Sequence, residues 1–81
     1  MVDVTYIYLT DDRFSKRKFR EICYRAICIS GFFDWVYIDD NVGDLSSPGL
    51  ELQNSSEGAI ILKDLINRLA KKDIVKITGA S

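Results

Sequence analysis

Four short segments rich in β-branched and aromatic residues alternate with two longer segments that keep a helical beat. That alternation limits the folds open to this chain more than any other feature. Residues 2–10, VDVTYIYLT, read as a strand. Asp11 or Asp12 then offers an N-cap. Beyond it Phe19, Ile22, Cys23, Ala26, Ile27 and Ser30 recur on one helical face, with Gly31 as the stop. Residues 32–38, FFDWVYI, make a second strand, and DDNVGDLSSPG is turn chemistry throughout. A short third strand, LELQ, spans 50–53, and Asn54 and Glu57 stand in capping-box spacing after it. Ile61, Leu62, Leu65, Ile66 and Leu69 form the stripe of a second helix, with Lys71 and Lys72 at its negative end. A fourth strand, IVKIT, spans 74–78.

The order is therefore β-α-β-β-α-β, the pattern of the split βαβ or ferredoxin-like sandwich. It implies an α+β single domain over residues 1–81, a four-stranded antiparallel sheet with two helices on one face. A chain of 81 residues supports one modest core. Its 47 % hydrophobic and 28 % charged content is that of a folded protein rather than a disordered one. The net charge of −1 gives no whole-molecule attraction to nucleic acid or anionic lipid. The longest apolar runs are too short to span a bilayer, and the start lacks the pattern of a secretory signal, so no membrane association is expected.

Histidine is absent, which removes the commonest general base and most zinc sites. Cys23 and Cys28 lie five apart, an offset of roughly 140° on a helix, so they face different ways and cannot easily bridge. A reducing, cytoplasmic setting is expected, with no cofactor and no structural metal.

Strand residues alternate between faces. The aliphatic set Ile7, Leu9, Val36, Ile38, Leu50, Leu52, Val75 and Ile77 is the natural helix-covered face. The opposite face then carries Tyr6, Tyr8, Phe33, Trp35 and Tyr37 with Glu51, Gln53 and Lys76. Five aromatics on an open face point to a docking surface. Three readings compete. The 39–49 loop covers the face; the face pairs with a second copy or a partner protein; or it stacks bases, as in the RNA-recognition fold, which shares this topology. The third strand, LELQ, lacks the aromatic and basic residues that stacking would use.

Parallel first and second strands would bring Asp11 and Asp12 to the same sheet edge as Asp39 and Asp40, on the order of 10 Å apart. Such carboxylates suit Mg²⁺, and they equally suit helix caps and turns. The letters YIDD, residues 37–40, resemble the aspartate turn of polymerase palm domains. An eleven-residue loop replaces the tight hairpin of that motif, and no polymerase function is carried across.

The segment RFSKRKFREICYR holds six of the eleven basic residues, and Arg13, Arg17, Arg20 and Tyr24 fall in one outward stripe. Residues 34–57 carry only acidic charges, so the molecule is electrically two-sided. These features favour a non-enzymatic protein-interaction module, regulatory or inhibitory, acting through the sheet aromatics and expected to be a homodimer. The runner-up is nucleic-acid binding through Arg13, Lys16, Arg17, Lys18 and Arg20. A Mg²⁺-dependent nuclease-like enzyme using the four aspartates comes third.

Overall fold

Alternating residues of the first strand are buried and half-buried, and this two-residue period sets the layers of the molecule. The computed structural model describes residues 4–53 and 58–80. Its elements are β1 (Val4–Leu9), α1 (Lys16–Ser30), β2 (Val36–Ile38), β3 (Gly49–Gln53), α2 (Ala59–Ala70) and β4 (Val75–Ala80). The strands form one antiparallel sheet in the order β2-β3-β1-β4, with two helices completing the ferredoxin-like sandwich.

Register decides which side chains meet the helices. Ile7 stands opposite Leu50 and Ile77, Thr5 opposite Leu52, and Leu9 opposite Val75. Partners opposite each other share a face, and this is the face the helices cover. Ile7, Leu50, Phe19, Leu62, Ile66 and Ile74 are fully buried there. α1 contributes Phe19, Ile22, Cys23, Ala26 and Ile27 to the core, as its apolar spacing predicts.

α1 begins one turn later than the aspartates suggest. Ser15 is its N-cap, its hydroxyl accepting a hydrogen bond from the Lys18 amide at 3.2 Å. Gly31 ends the helix in the left-handed conformation at φ 79°, its amide donating to the Ile27 carbonyl at 2.8 Å. The expected capping box of Asn54 and Glu57 lies outside the described residues. Of the expected α2 stripe, Leu62 and Ile66 are fully buried, Leu65 and Leu69 are half-buried, and Ile61 is exposed.

Asp11 serves the turn after β1 instead of capping α1. Its carboxylate accepts from the Arg13 amide at 3.0 Å and pairs with Lys72 at 2.7 Å. The hydrogen bond from Lys72 and then that from Arg13 hold the Asp11 carboxyl below its usual 3.8. A depressed folded pKa favours the native state above pH 3.8, and that contribution is lost as pH falls through the depressed value. Asp11→Asn is therefore expected to lower the neutral plateau of a denaturant-midpoint profile and to flatten its acid limb. Superimposable acid limbs would contradict the link.

Candidate functional site

The aromatic residues singled out in the sequence do not share one face. Tyr37 stands opposite Leu50, so it points to the helices, where its ring centroid lies 6.1 Å from Phe19 and 5.6 Å from Tyr24. Trp35, two residues earlier, is only 4 % exposed and belongs to the core. These two placements correct the expectation of an open aromatic face. Over WVYI, residues 35–38, both alternating sets are apolar, so period two alone does not choose between them. Burying the larger Trp and Tyr surfaces wins over burying Val36. Val36 accordingly pairs with Glu51 on the open side and is 55 % exposed. Phe33 precedes β2 in a turn and is 71 % exposed.

Tyr6 and Tyr8 do lie on the open face, half-buried. The 39–49 loop folds back against Tyr6. A side chain at Gly43 would come within 2.7 Å of the Tyr6 ring, and one at Gly49 within 3.1 Å of Val42. Val42 and Pro48 are fully buried. The loop is tied to itself by the Val42 amide donating to Ser47 at 2.9 Å and the Leu45 amide donating to Val42 at 3.0 Å. It is tied to the sheet by the Leu9 amide donating to Pro48 at 3.0 Å. With Trp35 and Tyr37 turned to the helices, the open face carries no continuous row of five aromatics.

The carboxylates are likewise dispersed. Asp11 is held by Lys72, and Asp39 accepts from the Tyr37 hydroxyl at 3.3 Å. Burial first, and then the Asp39 charge, push the Tyr37 hydroxyl well above the usual phenol range. Among the described residues no group of three or more His, Cys, Asp or Glu side chains gathers as a metal site would require. β1 and β2 run parallel on either side of β3, so Asp11, Asp12, Asp39 and Asp40 share one sheet edge without forming such a group. A shallow depression of about 460 Å³ at the C-terminal end of α2 is lined by Lys63, Asn67, Lys71 and Asp73 among others. Its Asn67 side chain is occupied in accepting from the Ile74 amide at 2.9 Å.

What the structure does concentrate on one side is charge. α1 and α2 hold seven Lys and Arg against two Asp and Glu, a net +5. The rest of the sequence holds four against ten, a net −6. Lys16, Arg17, Lys18 and Arg20 are all exposed, with the Arg20 guanidinium 5.8 Å over the Tyr24 ring. Arg13 sits in the turn before α1 rather than on it. The only ion pair within 4 Å among the described residues is Asp11–Lys72, so Glu21 pairs with neither Arg17 nor Arg25 although each lies four residues away.

The same helical layer carries exposed apolar side chains, one of them, Ile61, expected in the buried stripe of α2. Ile29 is 61 % exposed and Ile61 is 58 % exposed. Their signal was present in the sequence. Ile29 follows Ile22 by seven residues and Ile61 precedes Leu65 by four, placing each at the rim of a buried stripe.

The two cysteines separate as their spacing predicts. Cys23 is buried, and burial pushes its thiol far above the usual range, while Cys28 is exposed. Thiol titration of the native protein is expected to modify Cys28 alone, with Cys23 reacting only after denaturant is added. Rapid reaction of both would contradict this packing.

No protein-family model, curated protein or solved structure matches the chain. Its architecture is shown by its own coordinates, and among the described residues no helix is long and apolar enough to cross a membrane.

Proposed function

We propose that this chain is a small non-enzymatic protein-interaction module, regulatory or inhibitory in effect, that engages a protein partner through its helical layer. The observation that carries the reading is the coincidence of a net +5 charge with exposed large apolar side chains on that layer. Apolar anchors ringed by charge are how binding surfaces combine affinity with orientation. The sheet face, partly covered by its own loop at Tyr6, takes the lesser role. The test is affinity capture on the tagged chain after mild cross-linking. A specific partner is expected to be retained by the parent and by Val36→Glu, and lost when Ile29→Glu and Ile61→Glu are combined. Loss on Val36→Glu with retention by the helical variant would reverse the assignment.

A second reading, nucleic-acid binding, draws support from exposed Lys16, Arg17, Lys18 and Arg20 and from the Arg20–Tyr24 contact. It predicts oligonucleotide binding that falls steeply with salt and weakens further on Arg17→Glu with Arg20→Glu. Salt-independent or undetectable binding removes it.

A further inference from the structure

The two helices leave a seam between them whose ends are fixed by specific contacts. At one end the Phe32 ring lies against Gly58, where an added Cβ would come within 2.9 Å. At the other end Phe14 has the Lys18 and Lys72 ammonium groups each 5.8 Å from its ring centre. The chain therefore runs antiparallel through α1 and α2, and the seam spans the 12 residues of α2, roughly 18 Å.

Sidedness follows from the neighbours. Tyr24 leans on Tyr37 of β2, and Asn67 turns to Ile74 beside β4. The opposite flanks of the two helices face each other. By helical spacing those flanks carry Ile22, Ala26 and Ile29 on α1 and Ile61, Leu65 and Leu69 on α2. Leu65 and Leu69 are half-buried, while Ile29 and Ile61 stand above them, exposed. The banks of this apolar strip carry more cations than carboxylates: Lys18 and Arg25 with Glu21 along α1, and Arg68 with Asp64 along α2.

We infer that the seam between α1 and α2 receives an amphipathic helix of a partner protein, with its apolar stripe on Ile29, Ile61 and Leu65 and flanking carboxylates facing Lys18, Arg25 and Arg68. A rod lying in the furrow between two helices matches the shape, and helix-in-groove recognition reads an i, i+3, i+4, i+7 row of anchors. Cations on both banks select an acidic occupant over a basic one. The inference rests on the helical layer being the binding face, and it adds the chemistry of what binds there.

The experiment uses the full chain and two labelled synthetic peptides of about 18 residues, enough to fill the seam. They share one leucine spacing and carry either glutamate or lysine at the flanking positions. A labelled single-stranded oligonucleotide is the third ligand, and sedimentation of the chain alone reports self-association. Binding is followed by anisotropy and located by backbone amide shifts. The glutamate peptide is expected to bind and to shift the amides of Ile29, Ile61 and Leu65. It should lose roughly tenfold or more in affinity on Ile61→Glu, and separately on Arg25→Glu with Arg68→Glu. Ile29 and Ile61 are exposed, so these variants keep the fold, which unchanged Trp35 emission verifies. If the lysine peptide, the oligonucleotide or a second copy occupies the seam instead, the acidic-helix inference is overturned and the binding face stands. If the seam amides stay unmoved with every ligand and in self-association, both are overturned.

Discussion

Trp35→Ala is expected to destabilise the protein by about 3–5 kcal/mol, the usual loss when a buried aromatic is truncated to a cavity. A domain of 81 residues has on the order of 4–12 kcal/mol in total, so the variant should be largely unfolded under mild denaturing conditions. The paired control is Phe33→Ala, two residues away and 71 % exposed, which should shift the urea midpoint by no more than about 0.5 kcal/mol equivalent. Equal effects from the two substitutions would mean that Trp35 is not packed in the core as described. Trp35 is the only tryptophan, so its emission reports the same packing directly.

Gly49→Val is the second large effect. Gly49 sits between the Tyr8 and Ile38 partners of β3, and an added Cβ would lie 2.4 Å from the Ile7 carbonyl oxygen and 2.9 Å from the Tyr8 Cα. Both obstacles are backbone of the central strand, so neither can swing aside as a side-chain tip would. The strand pair must separate or shift register, at a cost of about 3 kcal/mol or more. Gly79→Ala, whose Cβ would meet only the Val4 carbonyl at an ordinary 3.6 Å, should be tolerated within about 0.5 kcal/mol. Chemical denaturation of the two variants beside the parent decides the matter. A Gly49→Val protein of parental stability would show that β1 and β3 do not approach as described.

The architecture was legible because its signals are local and redundant. Helical spacing in α1, the Gly31 stop and the turn-rich residues 39–49 each point the same way. The order of six elements then leaves few topologies. The facing of β2 was not legible, and the reason is visible in its letters. In WVYI either alternate set can be buried, and the choice is made by the pairing of Tyr37 with Leu50, a contact between segments. The N-cap was misplaced for a related reason. Asp11, Asp12 and Ser15 are all competent caps, and the salt bridge to Lys72, 61 positions along the chain, draws Asp11 elsewhere. The candidate site was legible in its charge and in the rim positions of Ile29 and Ile61. The exposure of Ile29 and Ile61 depends on how far each helix rolls toward the other, and the pattern within either helix does not specify that.

The helices' excess of positive charge over a sheet and loops of opposite sign gives the molecule a permanent electric moment from one layer to the other. Such a body does not tumble indifferently toward a charged target. The local field turns it during the last nanometres of diffusion, so that collisions occur helices first toward an anionic partner. Its encounter rate should therefore respond to ionic strength even though its overall charge is almost nil.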